Sequence, residues 1–147
     1  MTTKTADVDH TQLAAEFRLA LIPLIRQLRQ QAGPDLTPSL VSALVTVLKE
    51  GPITLGELAL KEHVSQPFVT KIAASMVDKG LATKVQDPAD RRVSRLEITA
   101  EGRRQLDRSR TRKNAWLAKQ LRHLDADELA TLHAAIPVLE HLSGDRP

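Results

Sequence analysis

A chain of 147 residues, 41% hydrophobic and 27% charged, is one globular domain's worth and long enough to bury a core without staples. With no cysteine it has no disulfide framework, thiolate metal site or redox thiol, and with 2% aromatic residues its core must be aliphatic. No run of about 18 apolar residues is present to span a bilayer, and Met1 to Asp9 carries no signal-peptide core, so a cytoplasmic location is expected.

The net charge of +3 is mild but unevenly placed. Between Lys61 and Arg95 there are seven Lys or Arg against four Asp or Glu, and between Arg103 and Lys113 six against one. A basic centre between balanced ends suits a polyanion partner or an ordinary solvated face, and charge alone leaves the two even.

In chain order, residues 1–9 are expected to be a disordered N-terminus. Asp9 to Gln12 then resembles a capping box, followed by Leu13, Phe17, Leu21, Leu24, Ile25 and Leu28 at helical spacing. Pro23 should kink this helix, and Gly33-Pro34-Asp35 ends it. Thr37-Pro38 is an N-cap with proline at the first helical position, opening a second helix that is apolar nearly all round and stops at Gly51-Pro52. A second capping box, Thr54 with Glu57, opens a short helix to about Glu62, with Leu55, Leu58, Ala59 and Leu60 read as inward.

Val64-Ser65 makes a turn, and Ser65 caps a helix whose inward stripe is Val69, Ile72, Ala73, Met76 and Val77; Lys79-Gly80 stops it. After Gly80 the period changes from helical to alternating. Leu81 to Val85 and Val93 to Ile98 read as strands joined by the tight turn Asp87-Pro88-Ala89-Asp90-Arg91-Arg92. Thr99 caps a long polar helix to about Arg122, and Asp125 with Glu128 opens a last helix striped by Leu129, Leu132, Ile136, Leu139 and Leu142, which Pro137 should bend. Residues 143–147 are expected to fray.

Helix, tight turn, helix, strand, basic-tipped hairpin, strand is the order of a winged helix-turn-helix, in which the second helix enters the major groove of DNA. The fold expected is mainly α with a small β-hairpin. A winged domain over 37–99 would be flanked by helical regions over 10–32 and 100–142.

The residues Ile53-Thr-Leu-Gly-Glu-Leu-Ala59, Val64-Ser-Gln-Pro-Phe-Val-Thr-Lys-Ile72, Lys79-Gly-Leu81, Asp87-Pro-Ala-Asp-Arg-Arg92 and Leu96-Glu-Ile-Thr-Ala-Glu-Gly102 resemble the MarR family of bacterial transcriptional regulators. The close match covers residues 37 to 102; the flanking helices match in length and placement only. The resemblance implies a homodimer on a pseudo-palindromic operator in double-stranded DNA, commonly as a repressor. It also implies dimer contacts through helices bearing Leu13, Phe17, Leu21, Leu129, Leu132, Ile136 and Leu139, and release by a small-molecule effector in many members.

Chemistry assigns the individual roles. Gln66 can pair bidentately with adenine, and Lys71 can reach guanine or a phosphate. Ser65 and Thr70 can donate to phosphate beside Pro67 at the helix N-terminus, where the dipole helps. Phe68 departs from the family's usual small or polar side chain: turned outward it would meet a thymine methyl, turned inward it would be core, and the inward reading is preferred. In the wing, the resemblance makes Arg91 the minor-groove residue, with Asp90 bracing the turn and Arg92 pairing with a carboxylate or a phosphate. Arg95 and Arg103 are candidate phosphate contacts, whereas the other cations of the long helix read as a solvated face and Trp116 as packing.

Of the five histidines, His133 and His141 share a helix but stand about two turns apart, too far for one ion, so no metal or cofactor is expected. No nucleophile elbow or phosphate-cradling glycine loop appears, which argues against an enzyme. The rival reading keeps the winged helix but makes it a protein-interaction module whose basic wing meets an acidic partner.

Overall fold

A computed structural model describes residues 8–144. Most of the expected N-terminal disorder (1–9) and tail fraying (143–147) thus falls on residues outside those described. Among the described residues, six helices and three short strands run in the order α1 (His10–Gln30), α2 (Pro38–Glu50), β1 (Ile53–Thr54), α3 (Leu55–Glu62), α4 (Gln66–Asp78), β2 (Ala82–Gln86), β3 (Ser94–Ile98), α5 (Ala100–Leu121) and α6 (Ala126–Ser143). The chain divides into two compact units between Lys113 and Asn114, within α5.

Local capping chemistry sets most helix starts. The Leu40 amide donates to Thr37 Oγ1 with Pro38 at the first position of α2, and both partners of the Thr54–Glu57 box are made at the start of α3. The Asp125–Glu128 box at α6 is also complete. The box expected at α1 is only half built. Thr11 and Gln12 amides donate to Asp9 Oδ1, but the Gln12 side chain turns along the helix to Glu16 instead of returning to the Asp9 amide. At α5, Thr99 Oγ1 accepts from the Gly102 amide while donating to the Gly80 carbonyl, so one hydroxyl caps a helix and ties it to the preceding turn.

The first unit holds one aliphatic core. Leu44 of α2, Leu58 of α3, Val69 and Met76 of α4 and Leu96 of β3 are all fully buried in it. Glu62 at the end of α3 accepts from Ser42 and Thr46 of α2, fixing the helix pair across its polar edge. His63 then reverses the chain in a left-handed conformation, φ 54°, so that only three residues separate α3 from α4.

Two residues expected inward face out: Leu60 is 78% exposed and Val77 lies at the solvent edge of α4. Both sit beside a buried stripe rather than on it, and helical periodicity locates the centre of a stripe better than its borders.

The hairpin is part of a three-stranded antiparallel sheet, ordered β1-β3-β2. β1 pairs Ile53 with Leu96 and Thr54 with Arg95, whereas β2 pairs Lys84 with Leu96 and Gln86 with Ser94. The alternation puts Leu96 and Ile98 into the core and Arg95 and Glu97 on the other face. Because β1 joins directly to α3, the sheet fixes where the wing stands relative to the helix pair.

In the second unit, α6 buries none of its residues fully, and Leu129, Leu132 and Ile136 are exposed. Within the first unit α1 likewise buries none, with Leu13, Phe17, Leu19, Ile22, Leu24 and Ile25 exposed.

Candidate nucleic-acid interface

Helix α4 turns Val69, Ala73 and Met76 to the core, which leaves Gln66, Pro67, Thr70 and Lys71 in solvent on its opposite side. Ser65 Oγ accepts from the Phe68 amide at 3.4 Å, so the hydroxyl caps the helix and keeps its own proton for an outside acceptor. Thr70 Oγ1 donates to the Gln66 carbonyl at 2.9 Å, which engages the proton that a phosphate contact would use. Phe68 is 42% exposed, correcting the inward reading. It lies one residue before the buried Val69, on the rim of the stripe, and borders a cleft of about 240 Å³ lined also by Arg29 of α1, Ser42 of α2 and Glu62 of α3. Ala74, one turn beyond Thr70, is exposed on the same side, and sequence reasoning missed it; the four-residue spacing from Thr70 is the signal that would have found it.

The wing turn is built by Asp87. Its Oδ1 accepts the Ala89 amide at 2.8 Å and the Asp90 amide at 3.2 Å, and its own amide donates to the Val93 carbonyl. Asp90 takes the Arg92 amide at 3.0 Å and grips the Arg92 guanidinium with both oxygens, each at 3.1 Å. Arg92 remains 90% exposed, so this pair is solvated. Arg91 is exposed, and its side chain makes no hydrogen bond or ion pair with any described residue. Among the described residues, the turn therefore carries one committed cation and one uncommitted cation.

Arg95, a candidate phosphate contact from the sequence, is already engaged by carboxylates of its own chain. Its Nε donates to Asp87 Oδ2 at 2.6 Å, and its Nη1 donates to Glu57 Oε2 at 3.3 Å and reaches the Pro52 carbonyl at 3.5 Å. Only 29% of the side chain is exposed, against 13% for Asp87. This brace joins residues far apart in sequence, so local pattern carried no signal of it. Arg103, by contrast, is exposed and makes no ion pair with described residues. On the same helix Arg104 and Arg108 face Glu101, and Arg110 faces Asp107.

The carboxylates titrate low. The Arg95 hydrogen bond, then the Ala89 amide, holds Asp87 below its ordinary value of 3.8; the Thr54 amide first, with Arg95 contributing, holds Glu57 below 4.5. Arg92 does the same to Asp90. A carboxylate with a lowered folded pKa stabilises the fold above its unfolded value and loses that contribution as pH falls through the folded one. The wing turn is thus expected to be insensitive to pH near neutrality and to loosen only as pH falls below about 3.8, where Asp87 and Asp90 begin to lose that contribution. Backbone amide shifts of Ala89 and Asp90 followed through an acid titration check this, and in Asp87→Asn the Asp87 part of the change should vanish.

Among the described residues no three His, Asp or Glu side chains gather closely enough to hold a metal ion, and no helix is long and apolar enough to cross a membrane.

A helix pair joined by a three-residue turn, a second helix with a polar outer face, and a cation-tipped hairpin on a three-stranded sheet define a winged helix-turn-helix protein. The MarR family profile matches residues 36–94. Over 137 residues the chain is 31% identical to Mb0904 of Mycobacterium bovis, an uncharacterised HTH-type transcriptional regulator, covering 92% of this chain and 96% of that one. It is 26% identical over 131 residues to the HTH-type transcriptional repressor MdtR of Bacillus subtilis, covering 86% and 82% of the two chains. Among solved structures, a Pseudomonas aeruginosa protein described as a transcriptional regulator superposes with a TM-score of 0.80 at 29% identity, covering 91% of this chain and 96% of that one. The chain belongs to the MarR family of HTH-type transcriptional regulators, a family of regulators and not of enzymes.

Proposed function

We propose that this regulator is a cytoplasmic homodimer that represses transcription by binding a pseudo-palindromic operator, and that a small effector releases it. The observation that carries this reading is the uncommitted Arg91 on a turn locked by Asp87 and Asp90, beside a helix presenting Gln66, Thr70 and Lys71 to solvent. In it Gln66 and Lys71 read base edges in the major groove, and the half-exposed Phe68 lies against a thymine methyl. Ser65 and Arg103 donate to phosphates, and Arg91 enters a narrow A·T-rich minor groove, where the potential is most negative.

The exposed apolar residues on α1 (Leu13, Phe17) and on α6 (Leu129, Leu132, Ile136), with Leu21 and Leu139 half-buried beside them, support dimerisation. Repression is the activity named for one relative. The cleft bordered by Arg29, Ser42 and Phe68 touches the recognition helix directly, and an effector there would lie against Phe68.

Operator affinity should fall steeply with salt, because phosphate neutralisation releases counterions. Arg91→Ala should lose roughly 1–3 kcal/mol of binding and relax the preference for A·T in the flanks. A gel-shift series at matched salt in which Arg91→Ala binds like the wild type would overturn the wing assignment. Wild-type chain that binds no duplex would overturn the whole reading.

A further inference from the structure

Arg95 stands on β3 opposite Thr54 of β1 and Val85 of β2, on the sheet face turned away from the core. There it joins three parts of the domain: the wing turn through Asp87, the first turn of α3 through Glu57, and the entry to β1 through the Pro52 carbonyl. The Glu57 oxygen it reaches also accepts the Thr54 amide, so the contact rests on the capping box that starts α3. Asp87 is anchored at the other end by two turn amides on its second oxygen. Every link therefore runs from backbone to backbone through charge-assisted bonds, which are roughly twice as strong as neutral ones.

A phosphate approaching Arg95 would meet two carboxylates already paired with it. One cation between two anions is a poor anion site and a good clamp. The strand ladder already fixes the base of the hairpin. What it leaves free is the pitch of the turn about the sheet, and Asp87 to Glu57 is the span that pins it.

We propose that Arg95 is a positioning residue of the wing: clamped between Asp87 and Glu57, it sets the pitch of the hairpin relative to α3 and so places Arg91 in the minor groove without touching DNA. This rests on the reading of Arg91 given above.

The test measures binding of the full-length chain to a duplex recovered by wild-type selection from a random library, at several salt concentrations. The variants are Arg91→Ala, Arg95→Met, Asp87→Asn and the double variant Arg91→Ala/Arg95→Met. Asparagine at 87 keeps a carbonyl oxygen for the Ala89 and Asp90 amides, and so keeps the turn, but loses the acceptor for Arg95. Arg95→Met and Asp87→Asn should each weaken binding about tenfold and lose the A·T preference in the flanks. Both should change the salt slope no more than Arg91→Ala does, and Arg95→Met should add nothing, in affinity or in slope, once Arg91 is alanine.

A direct phosphate contact predicts the opposite pattern. Asp87→Asn would free the cation and tighten binding, Arg95→Met would lower the salt slope by about one per protomer even in the Arg91→Ala background, and the double variant would be additive in affinity. Any of those results overturns the proposal while leaving Arg91 and the DNA reading intact. If Arg95→Met does not fold, the sign of the Asp87→Asn effect decides alone. If wild type binds and Arg91→Ala has no effect, the wing reading and this proposal fall together.

Discussion

Leu44→Ala is expected to lower stability by about 2–5 kcal/mol, the range for truncating a fully buried leucine whose surroundings cannot collapse into the gap. Leu44 is 0% exposed and lies in the middle of α2, the helix that packs on α3, α4 and β3 at once. Its neighbours are therefore held by three elements, each fixed by its own caps or ladder bonds, which limits relaxation. A small domain has roughly 5–15 kcal/mol in total, so this single truncation removes a large share. The measurement is a urea midpoint at fixed protein concentration, since association would add its own stabilisation. The midpoint should fall with the slope unchanged. Leu60→Ala is the internal control. It removes the same atoms from a side chain 78% exposed and should stay within about 0.5 kcal/mol of wild type. Equal losses for the two would show that the core does not lie where the burial places it.

The contrast between Leu44 and Leu60 also marks what the sequence could reveal. Local chemistry was readable: Thr37, Thr54, Ser65 and Asp125 each cap the helix they announced, because an N-cap is settled within three residues of chain. The centres of the stripes were readable for the same reason, as Val69, Ala73 and Met76 repeat at helical spacing. Their edges were not. Leu60, Phe68 and Val77 flank a stripe, and which of them is covered depends on what packs alongside. β1 left no trace because two residues are too few to show a period, and its partner Leu96 is 43 residues away from Ile53.

At the interface, the helix-turn-helix order and the basic turn were legible as a pattern of types and spacings. The division of labour among the arginines was not. Arg91, Arg92 and Arg95 are chemically identical, and only tertiary structure shows one unpaired among the described residues, one gripped by Asp90 and one clamped by Asp87 and Glu57. Glu57 reads from sequence as half of a capping box and nothing more, yet the oxygen that completes the box also receives Arg95. A residue with a satisfying local role gives no hint of a second, distant one.

Gly102→Ala is expected to destabilise the domain by about 2 kcal/mol, although helix propensity alone predicts a gain. Gly102 lies in the first turn of α5, and alanine in a helix is favoured over glycine by roughly 0.8–1.0 kcal/mol. Its environment reverses the sign. A Cβ there would overlap the Leu81 carbonyl oxygen and stand 2.7 Å from Ile98 Cγ1. The isoleucine could turn aside, but the carbonyl cannot, since it already accepts the Thr99 amide at 3.0 Å just before β2 begins. Relief requires α5 to move off the strand, which strains that bond and the Thr99 contact to Gly80. Overpacking of this kind costs roughly 1–3 kcal/mol, and a backbone obstacle belongs at or above the top of that range. The propensity gain offsets only part of it. Chemical denaturation gives the net sign: a variant as stable as wild type would mean that α5 does not seat on Leu81. Operator binding adds a second readout. Thr99 and Leu81 border the strands that carry the wing, so a displaced α5 should weaken DNA binding even in buffer where the variant remains folded. Gly80→Ala is the matched comparison. Its cost comes from φ 69° rather than from a neighbour, because nothing lies within 4 Å of a Cβ there. It should therefore lose stability while leaving the seating of α5, and with it the wing's placement, unchanged.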